Sequence, residues 1–173
     1  MTWELSHRSD RKARLIADRH YNRQTVGSPQ FVPPGRCCVL YASEGGGQAL
    51  WVTSWPFAEY TKHEWAGAWV NTLFRNEGAG LSSTMIREAI AATRWFHQHA
   101  PSWTGPVPDL GLVTFVDADE VRSTNPGYCY ECAGFRKAGE TKGGLVAWQL
   151  LPNKMPKPQP PQGAQLSLRG LAA

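Results

Sequence analysis

Residues 84–99 carry apolar side chains at helical spacing, with Ile86, Ala89, Ile90, Thr93 and Phe96 on one stripe. A strand-type run precedes this stretch (residues 68–74) and another follows it (residues 110–116). Strand, helix and strand in that order form a crossover, which leaves its two strands parallel. Gly78-Ala79-Gly80 breaks the chain before the helix, and Ser82 or Ser83 is placed to cap it. Two further strand-type runs, 37–42 and 49–55, flank Glu44-Gly45-Gly46-Gly47 and read as a hairpin. Residues 8–20 predict a first helix and 22–36 a loop rich in proline and glycine. Residues 128–133 predict a short helix, and 135–138 and 145–151 two closing strands. The expectation is one α/β domain over 1–151, a mixed central sheet flanked by helices. From Pro152 onward proline, glutamine and lysine dominate, which predicts a flexible tail over 152–173, dispensable for folding.

A chain of 173 residues that is 42% hydrophobic can bury a core, which excludes a disordered class. The net charge of +4 and pI of about 9.0 permit a polyanionic partner without requiring one. Arg8, Arg11, Lys12, Arg14 and Arg19 cluster near the N-terminus, and Arg23 and Arg36 follow. Such a cluster is either a solvated helix face or a phosphate-contacting surface. The eight tryptophans serve a core, or in part a surface on which bases stack. A polar, charged N-terminus and the lack of a long apolar run predict no signal peptide, no membrane partner and a cytoplasmic location. The four cysteines are then expected as thiols. Cys129 and Cys132 form a lone CxxC. Cys37 and Cys38 are adjacent and point to opposite faces of a strand, so a structural role is favoured over a zinc site.

Four constellations carry candidate chemistry. Arg75-Asn-Glu-Gly78-Ala-Gly80 lies between a strand and a helix. Glycines there let backbone amides approach a phosphate, and the helix N-terminus adds positive potential; the alternative is an ordinary glycine turn. His20-Tyr21 follows the first helix and offers a base, a metal ligand or a base-binding pair, against a purely structural histidine. Asp117 ends a buried-type strand, with Asp119 and Glu120 behind it. It is either a reacting carboxylate at a strand C-terminus or a cap. Tyr130, in the stretch Tyr128 to Phe135, either packs under the sheet or, by its resemblance to the tyrosine on the corresponding helix of GNAT acyltransferases, protonates a leaving thiolate.

In order and distance these pieces resemble the Mom family of phage DNA-adenine modification enzymes, with a fold of the GNAT acyltransferase type. The residues that carry the resemblance are His20-Tyr21 with its Pro/Gly-rich loop, Leu73-Phe-Arg75-Asn-Glu, Leu81-Ser82-Ser83, Thr114-Phe-Val-Asp117 and Tyr130-Glu-Cys-Ala-Gly-Phe135. The resemblance implies an enzyme that converts adenine in DNA to an N6-methylcarbamoyl-type derivative, which shields phage DNA from host restriction nucleases. It implies catalytic roles for His20, Tyr21, Asp117 and Tyr130. Donor binding falls to Arg75, Gly78, Gly80, Ser82 and Ser83. Asp117 and Asp119 compete for one role, because residues between 119 and 126 look inserted. The expected partner is double-stranded DNA with a flipped adenine, held by Arg11, Lys12, Arg19, Arg23, Phe31 and Arg36; a homodimer is one expected assembly. The donor is acetyl-CoA or another acyl or glycyl-type compound, and His20 with Asp117 is a candidate pair for a metal ion such as iron. Two alternatives stand beside this reading: a conventional acetyl-CoA-dependent N-acetyltransferase acting on a small molecule or protein, and a DNA-binding protein without catalysis.

Overall fold

In the computed structural model, residues 2–56, 59, 61–100 and 105–164 are described. The expected crossover is its centre. Strand β4 (Trp69–Glu77) leads through Gly78–Gly80 into helix α2 (Ser82–His99), and the chain returns in β5 (Leu112–Val116). β4 and β5 are parallel, but they pair only at Trp69 with Leu112, Val70 with Val113 and Asn71 with Thr114. Beyond Asn71, β4 keeps only its other neighbour, β3 (Gly47–Ser54). β5 continues beside β7 (Val146–Leu150) as far as Val116.

The seven-stranded sheet has the order β1-β2-β3-β4-β5-β7-β6, where β1 is Glu4–Ser6, β2 Cys37–Glu44 and β6 Arg136–Glu140. All neighbours except β4 and β5 are antiparallel. The sheet is therefore two antiparallel halves joined by one short parallel seam that opens at one end.

β3 shows why the middle of the sheet is apolar throughout. Ala49 and Trp51 face one side and Leu50 and Val52 the other, and all four are fully buried. On the first side α2 packs Met85, Ile86, Ala89 and Ile90 against Leu40, Trp51, Trp69 and Leu112. Burying an isoleucine of this kind is worth roughly 1.5–3 kcal/mol. On the second side helix α1 (Arg11–Ala17) packs Ala13, Ile16 and Ala17 against Leu50, Val52, Leu73, Phe31 and Val32. Asp10 caps α1 by accepting from the Lys12 amide at 2.8 Å. The cap expected of Ser82 or Ser83 on α2 is absent: Leu81 holds the N-cap place and makes no side-chain bond.

Two regions depart from the sequence-based expectation. The N-terminus forms β1, and the preceding Trp3 is fully buried, its indole N–H donating to the Met85 carbonyl at 2.9 Å. Pro152 to Ala164, expected as tail, lies on the domain. A 3-10 turn (Pro152–Lys154) is followed by the buried Met155, extended chain over 156–161, and a turn at Gly163 that leads to the buried Ala164. The Gln159 amide donates to the Ala91 carbonyl at 3.1 Å, the Gln162 amide to the Trp3 carbonyl at 2.8 Å, and Arg94 to the Pro156 carbonyl at 2.5 Å. Extended proline-rich chain has no internal hydrogen bonds, so its backbone groups are open to such partners. Composition does not display that kind of anchoring. Residues 165–173 of the expected tail lie outside the described residues.

Candidate functional site

A cavity of about 650 Å³ opens where β4 and β5 part. β4 supplies one wall from Asn71 to Asn76, and β5 supplies Thr114 to Val116. Arg19 to Asn22, just after α1, close one side. Glu120 to Arg122 and helix α3 (Tyr128–Cys132) close another, and Ser82 stands at the start of α2.

The floor is built on a bulge. Thr53 pairs with Asn71 and Val52 with Leu73, so Thr72 has no partner across the sheet. Asn71 is buried and its side-chain amide donates to the Val52 and Leu73 carbonyls, both at 2.9 Å, which holds the bulge. Its side-chain oxygen then accepts from the Tyr130 hydroxyl at 2.9 Å and from Thr114 Oγ1 at 3.3 Å. Thr114 Oγ1 also approaches the Asn71 carbonyl at 3.1 Å. Burial pushes the Tyr130 phenol well above its usual range, so the ring is neutral and retains its proton.

His20 and Tyr21 stack at 4.4 Å between ring centroids. The His20 Nδ1 lies 2.6 Å from Asn22 Oδ1, and the Asn22 amide nitrogen donates to the free Thr72 carbonyl at 2.9 Å. That second bond fixes which end of the Asn22 carboxamide faces the imidazole, so Nδ1 donates to an oxygen. The Asn22 backbone amide is also near Nδ1, at 3.3 Å, but the shorter contact decides the tautomer. The neutral ring then keeps its lone pair on Nε2. Burial, and after it the positive charge of Arg75, hold His20 below the usual histidine value against the opposing pull of Asn22 and the Phe74 carbonyl. At neutral pH the ring is an uncharged base.

At the rim Glu77 gathers two arginines. Arg19 binds it through both Nε and Nη2, at 2.7 and 2.5 Å, and Arg75 through Nε at 2.6 Å. The Arg19 bonds, joined by those of Arg75, hold the Glu77 carboxyl at a pKa of about 2. Arg75 uses only its Nε in this contact, so its two Nη groups remain as donors for an anion.

The structure brings His20, Tyr21, Arg75, Ser82 and Tyr130 to this one cavity. Asp117 stands at the edge: its amide donates to the Tyr21 hydroxyl at 3.4 Å, while its carboxylate accepts from the Asp119 amide at 3.1 Å and shapes the turn. Neither Asp117 nor Asp119 is in the lining, where Glu120 is the carboxylate. Among the described residues no group of three or more His, Cys, Asp and Glu is placed to hold a metal ion, and the His20–Asp117 pair has no third ligand.

Gly78 and Gly80 are not in the cavity wall. Asn76 accepts from the Ala79 amide at 3.0 Å and donates to the Gly80 carbonyl at 2.8 Å and Ser82 Oγ at 2.9 Å, so the loop is tied to itself. Gly78, at φ +86°, meets Gly47 of the hairpin turn, where a Cβ on Gly47 would lie 2.2 Å from the Gly78 carbonyl carbon. Ser83 is half-buried outside the lining.

Of the expected DNA contacts, Arg11 and Lys12 are exposed on α1 and Arg19 is at the cavity rim. Arg36 is exposed and lies 6.0 Å from the Trp55 ring centre. Arg23 and Phe31 are corrected. The Arg23 guanidinium donates to Asp18 at 2.8 Å, the Gln30 carbonyl at 2.7 Å and the Ser28 carbonyl at 2.6 Å, and its side chain is largely covered, so it ties the loop down and does not face solvent. Phe31 is buried against α1, as its place in an apolar Phe-Val pair allows. The four cysteines are free thiols, and Cys129 reaches the cavity wall.

Asn22, Asn71 and Glu77 are the residues that sequence reasoning missed. Asn71 had a signal, a carboxamide inside an apolar strand run, because a buried polar group is informative where an exposed one is not. Asn22 and Glu77 act through partners that no spacing reveals.

No helix among the described residues is long and apolar enough to cross a membrane. Comparison with protein-family models, with curated proteins and with solved structures finds no match for this chain.

Proposed function

We propose that the protein is a group-transfer enzyme of GNAT-like fold that modifies adenine N6 in DNA, as its resemblance to the Mom family implies, and so protects phage DNA from restriction. The observation that carries the reading is the cavity at the parting of β4 and β5, where a neutral histidine, an exposed aromatic stack and an arginine face one space. Adenine N6 is a poor nucleophile because its lone pair is delocalised into the ring. A base drawn out of the duplex must be held, deprotonated and met by an electrophile.

Tyr21, 40% exposed beside His20, offers the stacking face. As N6 attacks the donor's electrophilic carbon, the new C–N bond forms and the donor's bond to its leaving group breaks with its electron pair. The N6 proton passes to His20 Nε2. Arg75 holds an anionic part of the donor, and the Tyr130 phenol lies in the wall near the leaving group. DNA is held outside the cavity by Arg11, Lys12, Arg19 and Arg36.

A second reading, acetyl transfer from acetyl-CoA to a small molecule or protein, is favoured by Arg75 standing beside the start of α2, where an anionic donor finds both a cation and helix amides. Nucleoside mass spectrometry of DNA from cells expressing the protein separates the two. A new adenosine species is the expected result; unmodified DNA together with acetyl-CoA turnover would select the second reading.

A further inference from the structure

A second cavity, of about 480 Å³, adjoins the first and shares Asn22, Thr72 and Leu73 with it. We infer that this second cavity is a nucleobase subsite, recognising the edge and face of an unreacted base next to the reaction chamber. It rests on the proposed DNA reaction only for the strand that would deliver that base.

The lining decides the ligand class. Gln24, Thr25, Ser28 and Gln30 supply polar groups, and Pro33 and Pro34 supply flat apolar surface above the buried Phe31. The Gln24 and Gln30 carboxamides make no hydrogen bond among the described residues, so each offers a paired donor and acceptor. That is the pattern which reads a base edge. The one ionic group in the wall, Arg23, is paired with Asp18, donates to two backbone carbonyls, and is only 10% exposed. A phosphate or carboxylate therefore meets a cation whose charge is already balanced and whose side chain is largely covered. A flat, uncharged heterocycle with donors and acceptors on its edge finds partners for both edge and face.

The partition between the cavities is the Asn22 side chain, bonded on one side to Thr72 and on the other to His20. A base seated in the second cavity thus lies one residue from the group that orients the catalytic imidazole. Its source is either the neighbouring nucleotide of the DNA strand or the nucleotide part of a donor such as coenzyme A.

The test is titration of the 15N-labelled full chain, followed through the side-chain amide signals of Gln24 and Gln30. Adenosine is expected to shift both signals and ribose 5-phosphate neither. Q24A with Q30A, both at exposed positions and followed instead through the backbone amide of Thr25 in the same wall, is expected to weaken adenosine about tenfold, the loss of one or two hydrogen bonds. A DNA trinucleotide that shifts them where coenzyme A does not assigns the base to the strand, and the reverse assigns it to the donor. The subsite is overturned if no nucleoside moves these signals, or if ribose 5-phosphate moves them equally. Absence of modified adenine in cells with adenosine still bound at Gln24 and Gln30 would sink the proposed reaction and leave the subsite standing.

Discussion

In the proposed reaction His20 can serve as a base only while neutral. Burial holds its folded pKa below 6.5, so the proton is already off at pH 7 and returns only on acidification. Product formation should therefore be flat through neutral pH, with its acid limb below the ordinary histidine value; an acid limb centred above pH 7 would assign the titrating group elsewhere. Glu77 does a different job. It touches no reacting atom in this scheme and acts as a positioning residue for Arg19 and Arg75. E77Q should cost only about 1 kcal/mol or less in unfolding free energy, since these ion pairs are partly solvated. It should raise KM for the donor more than it lowers kcat. An unchanged KM with wild-type stability would remove Glu77 from the site.

At the scale of the element, the parallel seam and the β4 bulge make the cavity. Asn71 satisfies two carbonyls and receives the Tyr130 hydroxyl. Asn71→Ala leaves those buried groups without it and should destabilise the fold by roughly 2–4 kcal/mol, whereas Tyr130→Phe should cost only about 1 kcal/mol. Equal effects in urea melts would contradict the bulge-clamp account. The crossover was legible because periodicity reports which face a helix buries: Ile86, Ala89, Ile90 and Thr93 all point inward, while Phe96 is half-buried and His97 takes the inner place. The glycine loop was legible only as a break in the chain, because glycines report only backbone freedom. Here that freedom serves the approach of Gly78 to Gly47. Strand order made it legible that Arg75 after β4 and the end of β5 share one edge, with His20, Tyr21 and Tyr130 closing it from the helices, but Asp117, expected among them, stays outside the lining. Asn22 and Glu77 were not legible, because a hydrogen-bond partner distant in sequence leaves no periodic trace.

For the whole molecule, two measurements probe how the parts depend on each other. Removal of residues 152–173 takes away Met155, Ala164 and the backbone bonds to Ala91 and Trp3. The truncated chain should melt at a markedly lower temperature; an unchanged melting temperature would show that this segment contributes nothing. The second is acid stability. His97 is fully buried, stacked on Trp69 at 4.2 Å, and burial lowers its pKa to about 3. The unfolded chain binds that proton first, so the contribution of the neutral ring is complete above pH 6.5 and is lost as pH falls toward 3. His20 and His63 are shifted in the same direction, and Glu77 adds a loss below pH 4.5. H97F should flatten stability between pH 6.5 and 4.5, read as urea midpoints; a slope equal to that of the wild type would place the titrating group elsewhere.

The central claim is that the cavity between β4 and β5 modifies adenine with His20 as its base. Nucleoside mass spectrometry of DNA exposed to the wild-type protein and to H20Q, with urea midpoints measured alongside, tests it most directly. The account predicts a modified adenosine with the wild type and about a hundredfold less or lower still with H20Q at nearly unchanged stability. Equal amounts of product from both proteins, or none from a folded wild type supplied with donor, would contradict it.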